Sequence, residues 1–374
     1  MSAVPQIEWQ ENGVPHQAQW RSEAGVAAPK KLVIANDQLK ADQAYRLACE
    51  GTALLWRGDF HNAKQLLQAL ARRIDRKAKK SGATAAEAFH LHRQAQGQRA
   101  RILGMVLVPL SADYVIPLRR APDVSQACRE AYGESSGAAL VSLREVLGLI
   151  GAHEWHKKGV EIAALGARIH PCYGVFSPVR GEYIDLLMQA PLPTTEVAFD
   201  IGTGTGVIAA VLARRGVKRV VATDTDVRAL QCARDNLAAL DLMQQVELLE
   251  THLFPPGKAP LIVCNPPWVP AKPSSPVELA VYDPDSRMLL GFLNGLAEHL
   301  TEAGEGWLIL SDLAEHLGLR SREFLLQAIE SAGLKVLARL DTRPHHPKAS
   351  DPGDPLHQAR SREITSLWRL ARTA

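Results

Sequence analysis

The sequence is poor in cysteine: 5 among 374 residues, at Cys49, Cys128, Cys172, Cys232 and Cys264, with no CxxC pair. An odd count without short spacings argues against a disulfide framework and against a cysteine-rich zinc site. Long apolar runs are missing too. No stretch approaches the roughly 18 consecutive apolar residues that cross a bilayer, and the opening MSAVPQIEWQENG has neither the basic nor the apolar region of a secretory signal. The expectation is a cytoplasmic protein with no membrane and no metal. There is no internal repeat, no low-complexity tract, and no Ser or Cys in a nucleophile elbow. These absences argue against a solenoid and against a covalent enzyme intermediate.

What the chain has is 46% hydrophobic and 22% charged residues, ample for a core, in a length beyond one usual domain. Its net charge of +3 conceals an asymmetry: residues 1–170 hold 23 Lys/Arg against 16 Asp/Glu, and residues 171–374 hold 20 against 24. Halves of opposite sign fit two domains with different partners, or solvated helix faces alone. The densest basic run, ARRIDRKAKK at 71–80, reads equally as a solvated helix end or, with Arg93, Arg99 and Arg101, as a phosphate-facing surface.

The first half reads mainly as helix. Over 41–80, Leu66, Leu67, Leu70 and Ile74 recur at helical spacing, with interruptions near Gly51 and Gly58. A second helix is predicted over 83–103; MVLVPL and YVIPLRR then suggest short strands or a hairpin, and 125–166 is again helical. This gives a helix-rich, basic accessory domain over 1–165. From 166 the pattern alternates short apolar runs (EVAFDIG, KRVVATD, QVELLE, PLIVCNPPW) with amphipathic segments, the βαβ rhythm of a doubly wound α/β sheet. Two closing strands, LKVLARL and EITSLWRL, flank a loop at 341–362 rich in Pro and Gly, read as a surface loop or a substrate-side flap.

Three features of this second half carry chemistry. Asp200-Ile201-Gly202-Thr203-Gly204-Thr205-Gly206 follows a predicted strand and opens a helix. Glycines there permit a sharp turn and let a ligand approach backbone N–H groups that a Cβ would shield. Asp224 ends the next strand, where a carboxylate can accept both hydroxyls of a ribose; the alternative is a helix N-cap through Asp224 or Asp226. Asn265-Pro266-Pro267-Trp268 follows the apolar strand LIVC. Hydrogen bonds from a planar N–H group to the Asn265 side-chain oxygen and the Pro266 carbonyl hold a delocalised nitrogen in position for transfer. Consecutive prolines stiffen the loop, and Trp268 is expected to clamp a planar acceptor by stacking.

In this order and on these elements, the motifs resemble those of class I S-adenosylmethionine-dependent methyltransferases of the small-methyltransferase-domain group. That group includes RNA base N-methyltransferases and protein glutamine N-methyltransferases, and the resemblance covers about residues 170–374. It implies a Rossmann-like seven-stranded domain over 166–374 with S-adenosyl-L-methionine as cofactor. Asp200, Gly202 and Gly204 would line the methionine part, with Thr203 and Gly206 in the same turn. Asp224 would hold the ribose, and Asn265, Pro266, Pro267 and Trp268 the acceptor, Asn265 also bordering the cofactor. YGVFSPVRGEY (173–183) resembles the segment folded over the cofactor. One departure is Thr251-His252-Leu253-Phe254, where many relatives place an acidic residue for the adenine amino group; His252 offers a ring nitrogen or leaves that contact to the backbone.

The preferred acceptor is a nucleobase amino group in RNA, ribosomal RNA above all. A glutamine side chain in a translation or ribosomal protein is the alternative. A nicotinamide-dependent oxidoreductase shares the glycine turn but leaves the Asn-Pro-Pro-Trp loop unexplained, and a catalytically silent module would bind no S-adenosylmethionine. His153 and His156 sit at a spacing able to share one helix face, without further ligands.

Overall fold

The computed structural model describes residues 5–76, 82–345 and 351–373, with the main chain alone at 276–277. These divide into two compact units, 5–76 with 90–154 and 82–89 with 155–373.

In the first unit six strands, β1 (Gln6–Glu11), β2 (Val14–Arg21), β3 (Lys31–Ala35), β4 (Thr52–Trp56), β5 (Val106–Leu110) and β6 (Ala139–Ser142), form a mixed sheet ordered β1-β2-β6-β5-β4-β3. The expected helices are present: α1 (Ala41–Cys49), α2 (Phe60–Asp75), α3 (Ala85–Leu103), α4 (Ser125–Tyr132) and α5 (Leu143–Lys158). The extent of the sheet was not expected. The run 41–80 is not one interrupted helix, because Gly51 at φ +81° closes α1 and the chain re-enters as β4. All five β4 residues are buried, and β4 pairs in parallel with β3 and β5. A strand covered on both faces shows a continuous apolar run rather than alternation, which hides it beside an amphipathic helix. MVLVPL does form β5. YVIPLRR forms no strand, and Tyr114 and Arg120 there hold φ of +60° and +58°. The 125–166 region, read as helical, also contains β6 and β7 (Val160–Ile162).

Part of the basic charge is internally compensated. Arg73 pairs with Asp42, and Arg99 with Asp75 at 3.0 Å. Asp59, buried, N-caps α2 through the His61 N–H and receives Arg119 and Arg120 at 2.8 and 2.7 Å. The Arg120 hydrogen bond leads the effects that bring its carboxyl down to about 2. Arg72, Arg76 and Arg101 are exposed, whereas Lys77, Lys79 and Lys80 lie outside the described residues.

The second unit opens with β7 and β8 (Ala167–Ile169), a short hairpin. Then follow α6 (Glu182–Gln189), β9 (Val197–Ile201), α7 (Val207–Arg214), β10 (Arg219–Asp224), α8 (Val227–Ala239), β11 (Val246–Glu250) and β12 (Ala259–Cys264). The remainder is α9 (Arg287–His299), β13 (Leu300–Ser311), α10 (Leu313–His316), α11 (Arg322–Ser331), β14 (Leu334–Thr342), α12 (His357–Arg360) and β15 (Thr365–Arg372). The sheet has seven strands ordered β11-β10-β9-β12-β13-β15-β14, parallel from β11 to β13, with β15 antiparallel to both its neighbours. This is the Rossmann-like seven-stranded arrangement expected of it. From β9 the chain crosses through α7 to β10 on one side, and from β12 through α9 to β13 on the other. Such a reversal opens a crevice at the carboxyl ends of the two strands. The glycine turn and the Asn265 loop leave the sheet there.

Away from the crevice, Glu305 of β13 is 8% exposed and receives Arg369 of β15 through two bonds of 2.8 and 2.6 Å, plus the Trp307 indole N–H at 3.0 Å. Removing the guanidinium strands a buried carboxylate. Arg369→Met is therefore expected to lower unfolding free energy by about 3 kcal/mol in urea titrations; a change near zero would show that the pair does not brace the antiparallel edge.

Candidate active site

The glycine turn is shaped by backbone demands. Gly202, Gly204 and Gly206 have φ of +74°, +55° and +80°, the left-handed region that glycine enters without strain. At Gly206 a Cβ would also lie 3.1 Å from Ala233 of α8, so the close packing of helix against turn requires the missing side chain. The N–H groups of Gly202 and Thr203 both donate to the Thr223 carbonyl, at 2.9 and 2.8 Å, tying the turn to the neighbouring strand end.

Asp200 braces the turn from within. It is completely buried; Oδ2 accepts the Thr203 hydroxyl at 2.7 Å and the Ala209 N–H at 3.1 Å, while Oδ1 has no partner. Burial pushes its carboxyl up to about 7, against the lowering effect of those two donors. Thr203, 4% exposed, is engaged with Asp200 rather than turned outward.

Asp224 lies at the adjacent strand end. Its Oδ2 accepts the Gly204 N–H and its Oδ1 the Asp226 N–H, both at 3.0 Å, and burial raises its carboxyl above the usual range. The two N-cap alternatives separate here: Asp226 caps α8 by accepting the Arg228 N–H at 2.9 Å, which leaves Asp224 facing the turn. The loop after β11 joins the same end, since Thr251 N–H donates to the Asp224 carbonyl at 3.1 Å and the Thr223 hydroxyl to the Leu253 carbonyl at 2.6 Å. His252 stands exposed between these anchors.

Across the crevice, the Trp268 indole N–H donates to Asn265 Oδ1 at 2.8 Å. An indole nitrogen only donates, so this bond fixes which end of the Asn265 amide is the oxygen. The Trp268 carbonyl accepts from the largely buried Arg320 at 3.2 Å, and the Arg180 guanidinium lies 4.8 Å over the ring. One face of Trp268 is thus covered by a cation, and the ring also packs against a cluster of Phe89, Val269, Leu317, Leu356 and Ala359. Trp268, expected to clamp the acceptor by stacking, also braces Asn265 through its N–H. Phe89 and Leu356 were not anticipated: the first comes from the short segment 82–89, the second from the loop read as a flap. Residues 346–350 of that loop lie outside the described residues.

Arg180 and Glu182 lie in the segment 173–183 singled out in the sequence, though no role was read for either, and Ser311, Arg320 and Glu363 were missed because none stands in a recognisable spacing. His153 and His156 turn to different partners, Glu130 at 2.8 Å and the Cys172 sulfur at 3.9 Å. Among the described residues no group of three His, Cys, Asp or Glu is arranged to hold a metal ion.

Comparison with known proteins meets this geometry at the same strands. Residues 167–314 match the family model of the methyltransferase small domain. Over 86 residues the chain is 43% identical to a ribosomal protein L11 methyltransferase of Pelobacter propionicus, covering 22% of this chain and 28% of that protein. Over 135 residues it is 36% identical to a release factor glutamine methyltransferase of Mycolicibacterium smegmatis, covering 33% and 46%. Over 138 residues it is 31% identical to a tRNA1(Val) (adenine(37)-N6)-methyltransferase of Bacteroides thetaiotaomicron, covering 34% and 58%. The chain thus spans less than two thirds of the length of each of these relatives.

The geometry fits the S-adenosylmethionine expected from the sequence: a Cβ at Gly204 would meet nothing within 4 Å, and the Asp224 carboxylate beside that turn retains unused lone pairs. A test of the turn itself comes from Asp200. The folded protein holds the Asp200 proton up to about pH 7, whereas the unfolded chain releases it near 3.8, so this group favours folding at low pH and that contribution is lost as pH rises through the window. Relative to Asp200→Asn, the wild type is expected to lose on the order of 1–3 kcal/mol of stability between about pH 4 and 7. Urea unfolding of both proteins across that range reads the difference; a gain with rising pH would contradict the assignment.

Proposed function

We propose that the chain is an S-adenosylmethionine-dependent N-methyltransferase acting on a planar nitrogen, with a nucleobase amino group of RNA as the acceptor. The single observation that carries this reading is the opposition, across one crevice, of a glycine turn with Asp224 and an Asn-Pro-Pro-Trp loop whose amide oxygen is already oriented. S-adenosylmethionine supplies, when bound, a sulfonium methyl group reactive enough to need no covalent enzyme intermediate. Gly204 leaves room for it, Gly202 and Gly206 give the turn its left-handed backbone, Asp200 and Thr203 hold that turn in shape, Asp224 accepts the ribose hydroxyls, and His252 borders the adenine. Asn265 Oδ1 and the Pro266 carbonyl accept the two N–H groups of the acceptor, which turns its lone pair toward the transferred carbon and desolvates it. Pro267 keeps the loop stiff. Neither loop supplies an acid or base at the reacting atom; rate comes from positioning.

The RNA reading draws on the basic balance of residues 1–170, treated as an accessory surface in a cytosolic enzyme. With Arg73 and Arg99 already paired, Arg72, Arg76 and Arg101 are the contacts to test. The glutamine reading is favoured by the release factor relative, and the same loop geometry serves an amide nitrogen.

Three measurements test the proposal. By calorimetry, Asp224→Ala is expected to weaken S-adenosylhomocysteine binding by roughly 1–3 kcal/mol, the worth of hydrogen bonds to a charged group; tighter binding of NADH than of S-adenosylhomocysteine would overturn the cofactor. Label from S-adenosylmethionine is expected in the RNA fraction of cells lacking the protein, and label in the protein fraction alone would move the acceptor to glutamine. About three phosphate contacts give a slope of log K against log salt between −2 and −3 for RNA binding. Reversing Arg72, Arg76 and Arg101 is expected to flatten that slope.

A further inference from the structure

Cys172 and Cys232 stand 60 positions apart and meet against α8, the helix that packs on the glycine turn. Cys172 follows β8 and leads into the segment 173–183; Cys232 lies within α8 and is completely buried. The Cys172 N–H donates to Cys232 Sγ at 3.2 Å and the Asn236 amide donates to it at 3.7 Å, while the Cys232 thiol donates to the His170 carbonyl at 3.5 Å. These contacts aim the Cys232 sulfur at residues 170–172. The two thiols also act on each other, since the Cys172 side chain leads the effects that push the Cys232 thiol above its usual range. The Cys172 sulfur lies 3.9 Å from Nδ1 of His156, in the last turn of α5. Cys172 is partly exposed, whereas Cys232 is not.

A ring nitrogen beside one thiol, and a second thiol beside that, are the two parts of a peroxide-reactive pair: the first thiol is activated as a thiolate, and the second traps its oxidised form. Cys49 is also partly exposed, but among the described residues no hydrogen bond joins it to a histidine or a second cysteine. We propose that Cys172 and Cys232 form an oxidation site for hydrogen peroxide, with Cys172 the reacting thiol and Cys232 the thiol that resolves it to a disulfide. His156 Nδ1 takes the Cys172 proton. The thiolate attacks one peroxide oxygen, the O–O bond breaks, and hydroxide leaves with that proton as water, giving a sulfenic acid at Cys172. The Cys232 sulfur then attacks the Cys172 sulfur, the S–O bond breaks, and the hydroxyl departs with the Cys232 proton as a second water. The thiols lose two electrons and two protons, and the peroxide is reduced to two waters. The bond joins the chain entering 173–183 to α8, whose Asn236 amide also donates to the Thr205 carbonyl of the glycine turn at 3.1 Å.

The test treats the full-length reduced protein with an equimolar amount of hydrogen peroxide, blocks the remaining thiols, and maps the peptides without reductant by mass spectrometry. A Cys172–Cys232 disulfide is expected in preference to any other, with Cys172 consumed at least about threefold faster than Cys49. Cys232→Ala removes the resolving thiol, so Cys172 is expected to stop at a sulfenic acid that dimedone captures. His156→Gln is expected to slow Cys172 oxidation at least about threefold while Cys49 reacts at an unchanged rate, a contrast that general loosening of the fold does not give. Cys172 reacting no faster than Cys49, or oxidising in the wild type without a bond to Cys232, overturns the inference. So does an unchanged Cys172 rate in His156→Gln. The wild-type peptide map decides the pairing without any variant, and none of these readouts depends on which acceptor is methylated.

Discussion

The divergence of the chain after β9 and β12 governs the second unit. Because the two adjacent parallel strands send their connections to opposite sides of the sheet, their carboxyl ends part, and two loops leave the sheet there. The first loop must turn within five residues from strand to helix, which forces three glycines into the left-handed region. The second must stay rigid after its strand, and consecutive prolines provide that. Everything else at the site holds these two loops in place.

The bracing is polar and buried, and each contact joins segments that are separate in the chain. Asp200 fastens the turn to the first turn of α7, the Asp224 carboxylate fastens it to β10, and Trp268 holds the Asn265 amide while Arg180 and Arg320 hold Trp268. Buried polar contacts of this kind restrict a site to one arrangement more than they add net stability. For the transfer proposed above, which depends on geometry, that restriction would be the useful property: the acceptor's hydrogen bonds would form with oxygens already in place, leaving little reorganisation for the reacting state.

How much of this was readable in the sequence follows from the physics of each element. The alternation of apolar strand and amphipathic helix from Val197 to Cys264 is strong because β9, β10 and β12 are buried on both faces, and the glycine turn, Asp224 and the Asn265 loop fall at its strand ends. β4 in the first unit was lost because Thr52–Trp56 lies between two helices and is itself wholly apolar in environment. Arg180 and Glu363 meet although they stand 183 positions apart, a pairing that only the antiparallel return of β15 creates. The role of Trp268 was read from its ring; its N–H, which orients Asn265, becomes visible only once the loop is folded.

The central claim is that Asn265 acts on the acceptor and not on the cofactor. It is tested most directly by measuring Asn265→Ala for both S-adenosylhomocysteine affinity and single-turnover methyl transfer to RNA. The account predicts affinity within a few-fold of wild type and a transfer rate lower by about 10²–10³, the usual cost of losing one oriented polar group at a reacting centre. Near-normal transfer, or a loss of cofactor affinity as large as the loss of rate, would contradict it.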